Sequence, residues 1–201
     1  MKTAILSIES AMPGNFEAIM ATHDLLRNVG ISKYAYLVRP GIAFLDNLRY
    51  VDFLKNSGQE LVLQAPKESS RFPFLIDIGY RDAMHELGHE AGLFHLLFDK
   101  HPRGFIPNSW IHNARTEKAL EDLDFSFTVT RDALIDLRNH KRIPCSFSRL
   151  PGIAMENQNA ALLHLVVDVG AVLNQRIALQ KELGELGQHC DFVTYSELLS
   201  L

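Results

Sequence analysis

The sequence of 201 residues predicts one α/β domain of mostly parallel strands joined by helices. Three observations lead there. Short runs rich in β-formers alternate with amphipathic stretches of helical period. The length and an apolar fraction of 47% suit a single core rather than two small ones. Polar residues with chemical potential collect just beyond the strands, where parallel α/β folds place their sites.

Thr3 to Ile8 forms the first expected strand. Met12-Pro13-Gly14-Asn15 is a turn, with Asn15 as N-cap of the helix that follows. Phe16, Ile19, Met20, His23, Leu25 and Leu26 recur at helical spacing until Asn28 and Gly30 stop it. Tyr34 to Val38 is a second strand, ended by Arg39-Pro40-Gly41. Phe44, Leu48, Val51 and Leu54 mark a second helix, closed by Ser57-Gly58, and Leu61 to Leu63 a third strand. Consecutive units of this order require right-handed crossovers between parallel strands.

Gln64 to Pro73 is a polar, proline-bearing loop. A long helix runs from Tyr80 to Phe98, with Met84, Leu87, Ala91, Phe94 and Phe98 as its apolar stripe. Gly104 to Ile106 is a fourth strand, Ala114 to Leu123 a helix and Phe125 to Val129 a fifth strand. Ile143 to Phe147 and Leu162 to Val167 are further strands. Ala171 to Leu186 is a last long helix, and Phe192 to Thr194 a closing strand. Periodicity alone leaves an open sheet and a small distorted barrel equally compatible with this order.

A formal charge of −4 without a Lys/Arg run argues against nucleic-acid binding. No apolar stretch approaches the roughly 20 residues of a membrane helix. Glu9 interrupts the N-terminal apolar run too early for a signal-peptide core. Cys145 and Cys190 lack metal or redox spacing, which points to a reduced, cytoplasmic setting.

His85-Glu86-Leu87-Gly88-His89-Glu90-Ala91-Gly92-Leu93-Phe94-His95 matches HExxHxxGxxH at every fixed position. It resembles the zinc signature of metzincin peptidases, with His85, His89 and His95 as ligands and Glu86 as base. Such a site needs the helix to break at Gly92 so that His95 can swing back. The apolar stripe instead runs through Gly92 to Phe98, leaving His95 about 70° from its centre. The nearest methionine for a following turn is Met155, far along the chain. A solvated helix face carrying histidines is the reading that the pattern favours, with the peptidase as an alternative.

The residues just past the strands are Glu9-Ser10, Arg39, Gln64 and Glu68, Asn108 and Trp110, Arg131, Arg149, and Asp168. A ring of carboxylates, arginines, amides and one tryptophan suits a hydroxyl-rich or acidic small ligand.

Leu6-Ser7-Ile8-Glu9-Ser10-Ala11-Met12-Pro13, Gly58-Gln59-Glu60-Leu61-Val62-Leu63-Gln64 and Gly104-Phe105-Ile106-Pro107-Asn108-Ser109-Trp110 occur in order. Asp124 to Thr130, Arg142-Ile143-Pro144 and Phe192 to Leu198 follow them. Together these segments resemble the polysaccharide deacetylase family, particularly a subgroup of small bacterial deacetylase-like proteins. The resemblance implies a distorted (β/α) barrel and metal-dependent removal of acetyl groups from sugars. In that family an Asp and two His bind the metal, an acidic residue is base and a late His is acid. This sequence departs at each place. Ser10 stands at the metal Asp, Gln64 and Glu68 at the two metal His, Glu9 where the preceding His or Asp stands, and Asp168 near the late His.

Ser10 and Gln64 are neutral, weak zinc donors, so the resemblance implies an altered or lost metal site. Glu9, Glu68 and Asp168 would form a carboxylate cluster able to hold a hard divalent cation such as Mg²⁺, or to do metal-free acid–base work with Glu9 and Asp168 as catalytic groups. Ser10, Arg39, Gln64, Glu68, Asn108, Trp110 and Arg149 would contact a sugar or related small molecule, with Trp110 as a stacking face. Without the chemistry, the same cleft would be a non-catalytic carbohydrate-binding site.

Overall fold

In the computed structural model, which describes residues 1–65, 77–107, 109–152 and 161–200, ten strands share one sheet. They are β1 (Lys2–Ala11), β2 (Ala35–Val38), β3 (Glu60–Gln64), β4 (Gly104–Ile106), β5 (Phe127–Val129), β6 (Ala133–Asp136), β7 (Lys141–Pro144), β8 (Ser146–Leu150), β9 (Leu162–Asp168) and β10 (Cys190–Phe192). Their order is β7-β6-β5-β4-β3-β2-β1-β9-β8, with β10 against the start of β1. All neighbouring pairs from β8 round to β5 are parallel, while β6 is antiparallel to both β5 and β7.

One residue, Cys145, separates β7 from β8, although these strands are the two opposite ends of that order. The ends can be so close only if the sheet curls round on itself. Pro144 has no N–H to continue its ladder with β6. Cys145 donates its own to Asp132 O instead, at 2.9 Å, and the chain changes partner to β9. The result is a nearly closed mixed barrel, and of the two arrangements left open above, the barrel is the one formed. The expected single strand at Ile143 to Phe147 is thus two strands, and β6 was missed.

Side chains alternate across the barrel wall with period two. Ile5, Ala35, Leu37, Val62, Phe127 and Val166 pack inside with Trp110 and Tyr195. Leu6, Ile8, Tyr36, Leu63, Phe105 and Leu165 face outward against the helices. Those helices are α1 (Phe16–Asn28), α2 (Ile42–Leu45), α3 (Leu48–Asn56), α4 (Tyr80–Phe98), α5 (Ala114–Asp122), α6 (Val169–Asn174), α7 (Arg176–His189) and α8 (Tyr195–Leu199). The last long helix expected from Ala171 is therefore two, α6 and α7. Asn15 stands at the N-cap position of α1 but spends its side chain differently, donating from Nδ2 to Ser10 O at 3.1 Å.

α8 and the residues before it sit at the barrel end opposite the strand C-termini, where Val193 N donates to Ala4 O. Thr194 and Glu197 make a capping box that starts α8, and Glu60 accepts from the backbone N–H of Tyr195 and Ser196. Tyr195 then reaches inside, stacked on Phe127 with ring centroids 4.9 Å apart. Its hydroxyl lies 2.6 Å from Ser7 Oγ and 2.7 Å from His164 Nε2, with Ser7 Oγ and His164 Nε2 3.2 Å apart. Among the described residues, no helix is long and apolar enough to cross a membrane.

Two buried histidines give the fold an acid sensitivity. Burial pushes His112 down from 6.5 to about 4, and His164 from 6.5 to about 3. Both are neutral in the fold while the unfolded chain takes up a proton at each from pH 6.5 downward. Their stabilisation is complete above that pH and is lost as pH falls toward the folded values. Each contributes a slope of about 1.4 kcal/mol per pH unit in this window. Urea unfolding followed from pH 7 to 4 is expected to show the fall, with a shallower slope in His112→Asn.

Candidate functional site

The alternation that fills the barrel also builds its mouth. Following Ile5 and Ser7 inward on β1, the next such position is Glu9, fully buried. On β2 the inward series Ala35 and Leu37 leads to Arg39, on β3 Val62 leads to Gln64, and on β9 His164 and Val166 lead to Asp168. Glu9 and Asp168 are register partners across β1 and β9. Arg39 and Gln64 follow the paired Val38 and Leu63 of β2 and β3. Side chains far apart in sequence thus meet at one rim, at the carboxyl ends of parallel strands.

Glu9 is the centre of this rim. Gln64 Nε2 donates to Glu9 Oε1 at 3.1 Å, and Arg149 Nη1 to Oε2 at 2.6 Å. Arg39 Nη2 stands 3.6 Å from Oε1 as an ion pair without a hydrogen bond. The Gln64 amide is oriented by this contact, because reversing it would set its oxygen against a carboxylate. Among the described residues, Gln64 Oε1 has no hydrogen-bond partner, nor do Arg39 Nε and Nη2. Arg39 is 8% exposed, and burial is the largest influence, lowering its pKa, against the pull of Glu9 and then Asp168. Arg149 differs, with its side chain 50% exposed and its guanidinium 6.0 Å from the Phe147 ring centre.

Asp168 is engaged separately. Its Oδ1 accepts from Gly170 N at 2.7 Å, and its Oδ2 from Ser10 Oγ at 3.3 Å. Ser10 has φ +64°, beside a register shift between β1 and β2, so a local bulge re-aims its side chain. Each oxygen of both carboxylates is therefore already an acceptor.

Of the residues expected at the site, Glu9, Ser10, Arg39, Gln64, Arg149 and Asp168 come together. Glu68 and Asn108 lie outside the described residues, as does Met155. Arg131 is on the exposed surface. Trp110 is a correction. It is 2% exposed and packed on Phe147 and His164, with centroids at 4.8 and 5.0 Å, so its ring faces serve the barrel core instead of a sugar. Ser7, His164 and Tyr195, one layer deeper, were not anticipated. The Thr194-x-x-Glu197 capping signature was the available signal that a helix beginning at Tyr195 follows the closing strand.

The metal that the resemblance implied does not fit these side chains. Ser10 and Gln64 bring neutral oxygens, and Glu9 is neutralised by guanidinium groups. Among the described residues, no three His, Cys, Asp or Glu side chains converge as a metal site. The peptidase alternative is likewise not carried by the fold. α4 is one unbroken helix through Gly92 to Phe98, with His85, His89 and His95 all exposed. His95 then lies roughly 120° around the helix from His89.

Comparison with known proteins decides the fold. A candidate polysaccharide deacetylase from Mycobacterium smegmatis superposes with a TM-score of 0.70 at 12% identity, covering 99% of this chain and 90% of that one. This is the polysaccharide deacetylase fold. A second deacetylase-fold structure, a CE4 family pseudoenzyme from Bacillus anthracis, gives 0.67 at 16% identity over 98% of this chain and 65% of its own. The chain thus spans about two thirds of the pseudoenzyme's length. A peptidoglycan deacetylase from Bacillus subtilis gives 0.61 at 14% identity, covering 99% and 90%. No family profile and no curated protein sequence matches the chain.

Proposed function

We propose that this chain is a carbohydrate-binding protein on a deacetylase scaffold, in which an internal ion-pair cluster stands where a hydrolytic metal would be. The observation that carries the reading is the state of Glu9, both of whose oxygens are held by Gln64 and the two arginines. A cation entering there must displace guanidinium groups and would find only neutral oxygens at Ser10 and Gln64. Glu9 and Asp168, expected above as catalytic, are on this reading organising groups. Glu9 aligns the arginines, and Asp168 holds the start of α6 and Ser10. Ser10, Arg39, Gln64 and Arg149 form the ligand-facing set.

A sugar is the ligand class because the fold is shared with proteins named for polysaccharide and peptidoglycan deacetylation. The buried free thiols of Cys145 and Cys190 support a cytoplasmic location. The test is to titrate the protein calorimetrically with the neutral tetramer of N-acetylglucosamine, with and without Zn²⁺, while assaying free acetate. Saturable binding without acetate release is expected. Acetate release that depends on added metal would overturn the reading in favour of acyl hydrolysis.

A further inference from the structure

We infer that the rim prefers a ligand bearing a carboxylate, a uronic acid or comparable sugar acid, and that Arg149 receives it while Arg39 takes over Glu9. The inference deepens the carbohydrate reading and rests on it.

The rim supplies two cations to one buried carboxylate. Arg149 has the short bond to Glu9, and Arg39 is left deeply buried with Nε and Nη2 unbonded among the described residues. Those two atoms form one edge of the guanidinium, the edge that accepts a carboxylate side-on through two parallel N–H bonds. A buried cation with that edge empty is costly, and the remedy is already 3.6 Å away in Glu9. Two hydrogen bonds keep Glu9 from turning fully to Arg39: the strong, charge-assisted one from Arg149 to Oε2 and the neutral one from Gln64 to Oε1.

Arg149 is the member of the cluster able to move. It is half-exposed, whereas Glu9, Gln64 and Arg39 are buried. A carboxylate approaching the mouth therefore meets Arg149 first. As Arg149 turns to it, Glu9 Oε2 becomes free to accept from Arg39. At the end of this exchange each arginine has its own carboxylate, and the buried donors of Arg39 are filled. A neutral sugar offers Arg149 no charge and drives no exchange. Asp168 does not compete for Arg149, since its oxygens are engaged by Gly170 and Ser10. No bond other than hydrogen bonds changes.

The experiment compares two tetramers by calorimetry on the full chain: the neutral N-acetylglucosamine tetramer and an acidic one in which glucuronate alternates with N-acetylglucosamine. The acidic tetramer is expected to bind on the order of tenfold more tightly, as for one charge-assisted pair. Arg149→Gln, at a half-exposed position, should abolish that preference, the variant binding the acidic and the neutral tetramer with equal affinity. Thermal melting of the variant confirms that it is folded. Equal binding of the two by the natural sequence, or a preference that survives Arg149→Gln, overturns the inference and leaves the carbohydrate reading standing. Binding of neither overturns both.

Discussion

Glu9→Gln is expected to lower stability by about 3–5 kcal/mol, the cost of leaving a buried charge without its partner. The substitution keeps the shape of the side chain and removes only its charge. Arg149 can turn into solvent when its partner is lost, but Arg39 cannot, being almost wholly buried. Arg149→Gln alone is therefore expected to cost no more than about 1 kcal/mol, as for an exposed pair. For a chain of this size the Glu9→Gln loss lowers the melting temperature by on the order of 10 °C. Adding Arg39→Met should recover much of it, because a buried apolar side chain of similar length needs no counter-charge. Urea unfolding of the single and double variants checks this. Equal small effects for Glu9→Gln and Arg149→Gln would show that Arg39 does not depend on Glu9.

Gly104→Ala tests the barrel interior beneath that rim. Gly104 and Phe127 are paired across β4 and β5, and the phenyl ring lies against the bare Cα. A methyl group there would fall 2.0 Å from Phe127 Cζ, far inside van der Waals contact. The ring cannot yield freely because its other face stacks on Tyr195, which in turn holds Ser7 and His164. Overpacking of this kind typically costs about 1–3 kcal/mol, and this contact belongs at the upper end. Phe127→Leu in the same chain should return part of the loss, giving a clear non-additive term in a double-mutant cycle. Additive effects would mean that the methyl group is accommodated elsewhere.

The sequence was most informative where one local rule governed. α4 runs from Tyr80 to Phe98 and β4 from Gly104 to Ile106, as their periodicity and boundaries indicate. The convergence of Glu9, Gln64, Arg39, Arg149 and Asp168 followed from strand ends alone, since parallel strands present their carboxyl ends to one mouth. What escaped the sequence depended on contacts distant in the chain. β6 is only four residues and gains its identity from pairing with β5 and β7. The change of partner at Cys145 is invisible without knowing that both sheet edges are near.

Trp110 was misjudged because position does not reveal which way a group faces. Trp110 follows a strand, as a sugar platform would, yet φ +58° and its contacts with Phe147 and His164 turn it into the core. The HExxHxxGxxH match is a pattern of letters whose chemistry requires a helix break. The Leu87, Ala91, Phe94 and Phe98 stripe buries itself as one continuous helix and so prevents that break. Arg39 was legible as a rim residue, but its unfilled guanidinium edge was not, since that depends on Arg149 reaching Glu9 first.

The most direct test of the account is whether Glu9 belongs to arginine or to a metal. Zinc is titrated calorimetrically at neutral pH into protein carrying His85→Asn and His89→Asn, so that the exposed pair on α4 does not contribute, with and without Glu9→Gln. The account predicts no saturable one-to-one site that differs between the two. A one-to-one zinc site that disappears with Glu9→Gln would contradict it.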